Sequence, residues 1–273
     1  MSLTMVTIVP ASGEAVELPI GSSIGYQLEE IEGLDPVKAT IASSNFGWAD
    51  GASYQSSRRD VRNIVMKVGY VPDYVANTVQ SLRLGLARRM MPKSPVTLRF
   101  HDSDGSVVRI SGRVESFDSP LFVQDPRAII SIMCFDPDFV SETELTKTGQ
   151  TVSDLTDSTV EYEGPVATGF LFEMTMPRAT NEIALVARTA DGETKRMDFA
   201  MALASGDKLE INSVFGNKGV WVTQGGSRTT ALYATTPESN FLTLASGANT
   251  FRVQMPGTPI PYTIKYFPRY GSL

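Results

Sequence analysis

Short apolar runs separated by turns recur along most of the chain. The 22 glycines and 16 prolines punctuate these runs at intervals suited to β-strands. Two β-hairpins are predicted in the first half. One joins the runs 6–9 and 15–18, and the other joins 96–100 and 107–110 through a loop with an Asp-Gly pair at 104–105, which favours tight hairpin turns.

One segment departs from the β pattern. From Pro72 to Met91 the apolar residues recur at spacings of four and three, as on one face of an α-helix. These residues are Val75, Val79, Leu82, Leu86 and Met90. Arg88 and Arg89 suit the negative end of the helix dipole, and Pro92 ends the pattern. The spacing predicts a helix over 72–91.

The composition changes around residues 141–157, where Ser, Thr, Glu, Asp, Lys and Gln dominate. Polar stretches of this kind connect domains, so we place one domain at 1–145 and a second at 146–273. Beyond the junction the sequence predicts about eight short strands without a helical period, which is typical of an antiparallel β-sandwich. The predicted fold class is therefore mainly β, and its helix lies in the first domain.

Composition narrows the possible functions. No stretch approaches the ~18 apolar residues of a membrane span, and the mean hydropathy is -0.06. Met1 to Met5 carry neither a basic run nor a long apolar segment, so we expect no signal peptide. The net charge of -6, with both signs interspersed, argues against binding nucleic acid by neutralising phosphates.

The strongest catalytic candidate is the segment Gly21-Ser22-Ser23-Ile24-Gly25, which matches the nucleophile elbow of hydrolases. His101, the single histidine, follows in the required order after acids such as Asp60. An elbow needs a helix behind it, however, and residues 26–32 alternate like a strand. We therefore interpret the glycines as turn residues and rank a hydrolase last.

Metal and thiol chemistry are also weakly indicated. His101 lies beside Asp102 and Asp104, but this set suits a polar hairpin loop, and the glutamate that would complete a calcium loop is missing. Cys134 is the single cysteine, which excludes an internal disulfide and a cysteine-rich metal site. Its apolar surroundings indicate a small buried residue rather than a reactive thiol.

Charged residues fall into two groups. Closely spaced carboxylates, which could serve a glycosidase but more often mark a solvated strand face, are Glu29/Glu30/Glu32, Asp136/Asp138, Glu142/Glu144 and Glu161/Glu163. The densest basic group is Arg58, Arg59, Arg62, Arg83, Arg88 and Arg89. Because no aromatic residues are interleaved with these arginines, we expect ion pairs, including pairs between subunits, rather than nucleic-acid binding.

The order of several sequence blocks resembles the distal tail proteins of long-tailed bacteriophages. In the first half these blocks are Gly33-Leu34-Asp35-Pro36, the segment Trp48 to Tyr54, Arg62-Asn63-Ile64 and the segment Ala128 to Phe139. In the second half they are Gly206-Asp207, Leu244 to Asn249 and Tyr262 to Tyr270. The resemblance covers nearly the whole chain, and it depends on the order and spacing of motifs that are individually weak.

This resemblance implies a structural protein and not an enzyme. The implied N-terminal domain is α+β, with a β-sandwich, one helix and a β-hairpin, and the implied C-terminal domain is a galectin-like antiparallel β-sandwich. Such proteins form a hexameric ring, single or stacked in pairs, that joins the tail tube protein to the tail-associated baseplate hub protein. The ring anchors receptor-binding or accessory tail proteins and lets DNA pass without specific binding.

The resemblance implies no catalytic, cofactor-binding or metal-binding residues, no cofactor and no membrane partner. It places the protein at the distal end of the virion tail, after synthesis in the cytoplasm of the host bacterium. We add the hypothesis that part of the acidic segment 29–32 faces the opening of the ring.

A carbohydrate-binding adhesion module acting through the C-terminal sandwich is the alternative function. Trp221 is the residue that could stack on a sugar ring, although a core aromatic at a strand end is the preferred interpretation.

Overall fold

The computed structural model describes residues 2–21, 24–48, 50–120 and 123–273. The chain divides into two compact units, which we call the N-terminal and C-terminal units. The N-terminal unit comprises Met1–Glu142 together with Gly271–Leu273, and the C-terminal unit comprises Thr143–Tyr270. Both units consist mainly of antiparallel sheets, so the predicted mainly β fold class is confirmed.

One large antiparallel sheet forms most of the N-terminal unit, in the order β2-β1-β7-β8-β9-β6-β3, with β10 paired to β8. Its strands are β1 Leu3–Pro10, β2 Val16–Pro19, β3 Gly25–Glu32, β6 Arg62–Val71, β7 Pro95–Asp102, β8 Val107–Asp118, β9 Arg127–Cys134 and β10 Phe139–Ser141. An isolated parallel bridge between Ile20 and Leu28 brings the two ends of the sheet together. Both predicted hairpins are confirmed, as β1–β2 and β7–β8.

Alternating burial along the strands explains how the N-terminal core forms. In β6, Ile64, Met66 and Val68 are fully buried, while the residues between them are half-buried. The helix α1, Val79–Arg89, contributes Leu82 and Leu86 to the same unit. Among the described residues, no helix is long and apolar enough to cross a membrane.

The helix is shorter than the sequence predicts. Its N-cap is Thr78, whose hydroxyl accepts a hydrogen bond of 3.2 Å from the Ser81 N–H, while the Ser81 hydroxyl accepts one of 2.9 Å from the Thr78 N–H. Upstream, the carboxylate of Asp73 accepts backbone hydrogen bonds from residues 75–77 and holds a separate turn. Val75 is therefore 95% exposed instead of lying on the buried face.

Two further strands, β4 Ala39–Asn45 and β5 Ala52–Arg59, form a separate two-stranded sheet. The sequence from Arg58 to Val68 predicts one arginine-bearing strand, and this prediction is wrong. Arg58 and Arg59 end β5, and Arg62 begins β6. Asp60 and Val61 separate the two strands because the chain leaves the hairpin there and enters the main sheet.

The C-terminal unit is built from two antiparallel sheets, ordered β11-β20-β13-β16-β17-β18 and β12-β19-β14-β15. Their strands are β11 Leu145–Gln150, β12 Ser158–Tyr162, β13 Leu171–Thr175, β14 Thr180–Arg188, β15 Thr194–Leu203, β16 Lys208–Asn212, β17 Gly219–Gln224, β18 Ser227–Thr230, β19 Gly247–Gln254 and β20 Pro261–Tyr266. A short 3-10 turn at Leu232–Ala234 and a two-residue strand, β21 Arg269–Tyr270, complete the unit. Aromatic rings from both sheets meet in one core, as in the edge-to-face contact of Phe251 on β19 with Tyr262 on β20 at 5.7 Å.

Candidate interaction surfaces

The hairpin β4–β5, residues 39–59, is exposed along almost all of its described length, and we call it the exposed hairpin. Every residue of β4 and all but one of β5 are exposed. Ile41 is 64% exposed and Trp48 is 97% exposed. Its two strands pair only with each other among the described strands. A lone two-stranded hairpin is marginally stable in water, so apolar side chains displayed on one indicate a surface that packs against another molecule.

The base of the exposed hairpin is held firmly. The guanidinium of Arg59 binds the carboxylate of Asp138 through two hydrogen bonds, one of them 2.7 Å long between Nη2 and Oδ2. Asp138 is buried, and a forked arginine–carboxylate pair fixes orientation as well as position. On the other strand, the Thr40 hydroxyl donates to Asp60 at 2.9 Å. The hairpin therefore leaves the N-terminal unit in a defined direction.

Next to this base, Arg62 is almost fully buried, at 1% exposure. Its Nε donates to the carbonyl oxygen of Pro137 at 2.6 Å. Its Nη1 donates to the carbonyl oxygens of Gly33 at 2.5 Å and Asp35 at 2.7 Å. Its Nη2 donates to the carbonyl oxygen of Gly271 at 2.6 Å. Burial lowers the pKa of Arg62, but a guanidinium stays protonated at physiological pH.

Arg62 explains why several blocks of the sequence occur together. Gly33 adopts a φ of +88°, and a Cβ there would lie 2.0 Å from the Asn63 carbonyl oxygen, so a side chain is excluded. The ring of Phe139 lies 4.5 Å from the Arg62 guanidinium carbon, a cation–π contact. The blocks around Gly33, Arg62 and Pro137 thus form one buried node, which the sequence motifs indicated only by their order.

The C-terminal motifs also have structural roles. Asn249 is buried, and its side-chain amide donates to the carbonyl oxygens of Ala245 at 2.7 Å and Gly247 at 2.9 Å. Its Oδ1 accepts from the Ala245 N–H at 2.9 Å. The Asp207 carboxylate likewise accepts from the Ala204 N–H at 2.8 Å. These polar residues satisfy the backbone of turns, which is where buried polar groups find partners.

The described residues that suggested catalysis or metal binding have structural partners. Ser22 and Ser23 lie outside the described residues. The Nε2 of His101 lies 2.9 Å from the Thr7 hydroxyl, and Asp102 accepts hydrogen bonds from the backbone of Ser103. Among the described residues, no group of three or more His, Cys, Asp or Glu side chains is arranged to hold a metal ion.

Cys134 is fully buried, and desolvation raises the pKa of its thiol to about 12. A thiol with so high a pKa is protonated at neutral pH and is a poor nucleophile. The interpretation of Cys134 as a small buried residue agrees with this environment.

Several of the clustered carboxylates and arginines bind partners within the chain. Glu29 lies 3.4 Å from Arg127, and Glu30 binds Lys67. Glu142 contacts Arg99 at 3.1 Å. Among the arginines, Arg59 binds Asp138 at the base of the exposed hairpin, and Arg62 forms the buried node. Arg83 donates to the Ser119 carbonyl oxygen, and Arg89 lies near Glu14.

Trp221 is not a core residue, so the preferred interpretation was wrong. Its neighbours Val220 and Val222 are fully buried, which directs the indole of Trp221 to the opposite face of the sheet. The guanidinium of Arg228 lies 4.3 Å from the ring centroid and covers one face. A Cβ at Gly219 would contact the six-membered edge of the indole. This ring is therefore not free to stack on a sugar.

An ionic network lies on the sheet that carries Trp221, which is paired directly opposite Glu210. Glu173 contacts Lys208 and Lys265 at 2.5 Å each, and Glu210 contacts Arg228 at 2.6 Å. Burial alone would raise the pKa of Glu173, but hydrogen bonds from the two lysines outweigh it and lower that pKa. The pKa of Glu210 is lowered in the same way, by Arg228 and Lys208.

Comparison with known proteins agrees with this structure. Residues 163–270 match the family model of the siphovirus-type tail component, C-terminal domain. The crystal structure of the SPP1 Dit protein (gp 19.1), presented as a paradigm of the hub adsorption apparatus in phages that infect Gram-positive bacteria, superposes with a TM-score of 0.71 at 12% identity. That match covers 97% of this chain and 98% of the other.

A component of the phage P2 baseplate in its activated conformation with calcium matches with a TM-score of 0.50 at 8% identity, over 97% of this chain and 98% of that one. No curated protein sequence matches the chain. At these identities the structural likeness shows a shared fold. Together with the family match, it confirms the resemblance to distal tail, or baseplate hub, proteins and supports a structural role at the tail tip.

Proposed function

We propose that the protein forms a hexameric ring, single or stacked in pairs, at the distal end of a phage tail. The ring joins the tail tube protein above to the tail-associated baseplate hub protein below, and it anchors receptor-binding or accessory tail proteins. The protein is made in the cytoplasm of the host bacterium and has no catalytic activity. The family match over 163–270 and the shared fold over nearly the whole chain support this proposal.

The exposed hairpin is the structural feature that most directly supports the proposed ring. In a closed ring each subunit presents one surface to the neighbour on one side and a different surface to the neighbour on the other. An apolar projection with a fixed base suits such head-to-tail contact, because packing Ile41 and Trp48 against a neighbour removes exposed apolar surface from water. We propose that the hairpin of one subunit packs against the N-terminal unit of the next.

The proposed ring lets DNA pass without holding it. The net charge of -6 disfavours binding to phosphates. Within the acidic segment 29–32, Glu29 and Glu30 are paired with Arg127 and Lys67, whereas Glu32 is exposed. The hypothesis that this segment faces the opening therefore depends mainly on Glu32.

Double substitution of the exposed hairpin tests the proposal. Ile41→Ala with Trp48→Ala is expected to convert the ring into monomers, measured by native mass spectrometry, without changing the unfolding midpoint, since both side chains are exposed in the isolated chain. The matched control is Leu155→Ala, which removes another exposed apolar side chain from the C-terminal unit and should leave the ring intact. A ring that survives the double substitution would show that the hairpin is not the subunit contact.

A further inference from the structure

A cleft of about 590 Å³ lies on the outer face of the β12-β19-β14-β15 sheet, within the C-terminal unit. Its lining residues include none of the exposed hairpin, the Arg62 node or Trp221. Its size falls in the range of small-molecule sites, roughly 300–1,000 Å³. The strand register shows why it exists. Ala184 lies at its centre, directly opposite Asp198 on β15 and Gln254 on β19. Ala200 lies opposite Glu182.

Small residues therefore form the floor and long polar residues form the rim. Ala184 and Ala200 leave an apolar depression in the sheet, and four polar side chains stand around it. These are Glu182, Arg196, Asp198 and Gln254. An apolar floor with a polar rim matches the faces of a pyranose ring, whose C–H groups lie between hydroxyls that both donate and accept hydrogen bonds.

The rim is organised before any ligand arrives. The Nε of Arg196 lies 2.9 Å and 2.8 Å from the two carboxylate oxygens of Asp198, and Nη2 lies 2.8 Å from Oδ1. This pair uses two of the five N–H donors of the guanidinium and leaves three for a ligand. The side chains of Glu182 and Gln254 make no hydrogen bond to any described residue, so their polar atoms are also available.

One wall is fixed as well. The Arg178 guanidinium donates to the carbonyl oxygens of Pro256 at 2.5 Å and Thr258 at 3.1 Å, which holds the loop that carries Gly257. On the opposite side, Thr236 donates its N–H to the Asp198 carbonyl oxygen at 3.2 Å. That bond covers the outer edge of β15, so an added peptide strand would find the edge occupied.

The charge of the rim selects the ligand class. Asp198 neutralises Arg196, and the charge of Arg178 in the wall offsets that of Glu182, so the cleft has no net charge that would favour an anionic or a cationic ligand. We propose that this cleft binds a neutral saccharide, either a free oligosaccharide or part of a cell-surface polysaccharide. The site differs from Trp221, the residue that the sequence suggested for sugar binding. It requires no ring, so its failure and that of the proposed hub function are distinguishable.

Saturation-transfer difference NMR on the full chain tests this proposal, because the method observes the ligand and tolerates a large assembly. The probes are lactose, maltotriose and a trimer of N-acetylglucosamine. Transfer to at least one probe is expected, with weak, millimolar affinity because Phe199, the aromatic residue of the lining, is buried in the core and offers no ring face to a sugar. Arg196→Gln should weaken binding about tenfold. Ala184→Phe should abolish binding by filling the floor, and both variants should retain the unfolding midpoint.

The matched control is Arg188→Gln. Arg188 lies on the outer face of β14, the strand that carries Ala184, but outside the cleft, so this variant should bind saccharide as the wild type does. Pull-down with insoluble neutral polysaccharide, with and without competing free probe, separates the two sources of the ligand. Absence of transfer to all three probes, or transfer that Ala184→Phe leaves unchanged, would overturn the proposal. Binding of the cationic probe spermidine in place of every saccharide would overturn it too and assign the cleft to cations.

Discussion

The Nη2 of Arg62 donates a hydrogen bond of 2.6 Å to the carbonyl oxygen of Gly271, across 209 positions of sequence. This contact explains how Gly271–Leu273 belong to the N-terminal unit although the preceding residues belong to the other. The N–H of Leu273 also donates to the Leu34 carbonyl oxygen at 3.2 Å. One buried side chain thus joins the start of β6 to segments far away in sequence.

Replacing Arg62 should destabilise the N-terminal unit strongly. Arg62→Met removes the donors that serve four carbonyl oxygens, and buried acceptors without partners are costly, so we expect a loss of about 3 kcal/mol or more in the free energy of unfolding. Arg62→Lys should restore little of the lost stability, since an ammonium lacks the planar, forked donors of a guanidinium. Urea denaturation measures both. The control Arg88→Met removes an exposed arginine and should change stability by less than about 0.5 kcal/mol.

Releasing the base of the exposed hairpin should make the hairpin more mobile and easier to cleave. Arg59→Gln breaks the forked pair with Asp138, so the hairpin should become a faster target of chymotrypsin, which can cut beside Trp48 and Tyr54. The neighbouring Arg58→Gln, at an exposed position of β5, is the control and should be cut at the wild-type rate. Equal rates for the two variants would mean that the Arg59–Asp138 pair does not hold the hairpin.

The buried thiol of Cys134 should make stability depend on alkaline pH. Its folded-state pKa, about 12, lies above the value of roughly 8.5 for a free thiol, so the folded state holds the proton more tightly. Stability is then full below pH ~8.5 and falls as the pH rises toward 12, by up to about 1.4 kcal/mol per pH unit. Urea midpoints between pH 7.5 and 9.5 should show this slope in the wild type and a smaller one in Cys134→Ala. Equal slopes in the two proteins would contradict the assignment.

The ionic network of Glu173 and Glu210, on the sheet that carries Trp221, should make the C-terminal unit sensitive to acid. The pKa values of Glu173 and Glu210 are lowered in the folded state, so their contribution is present above the ordinary glutamate pKa and is lost as the pH falls through the folded values. Lys208→Met, which removes a partner of both carboxylates, should reduce stability by about 1 kcal/mol at pH 7 and flatten the loss below pH ~4.5. Lys147→Met, at an exposed position of β11, serves as the control.

Local sequence patterns predict the strands and the helix that bury one face, because the buried residues then recur with the period of the element. The hairpins β1–β2 and β7–β8 follow from their apolar runs and turns, and Leu82 and Leu86 mark the buried side of the helix. The helix start was misplaced because the Asp73 carboxylate holds a turn of its own, a contact that apolar spacing does not report. Trp221 lies outside the core although it is a large aromatic residue, because Val220 and Val222 on either side of it occupy the buried face of β17.

Other features could not be predicted from local patterns. The exposed hairpin buries neither face, so residues 39–59 carry no apolar period that would reveal two strands. Arg62 was grouped with arginines expected to form ion pairs, because its carbonyl acceptors come from segments distant in sequence. The cleft around Ala184 is likewise invisible in the sequence, since it depends on the register of three strands.

The mass of the purified protein in solution, measured by light scattering at low and at high concentration, tests the hub role most directly. The account predicts six times the 29.7 kDa of one chain, or twelve times for stacked rings, either alone or after addition of the tail tube protein. A protein that stays at the mass of one chain at every concentration, with the tube protein present as well as absent, would contradict it.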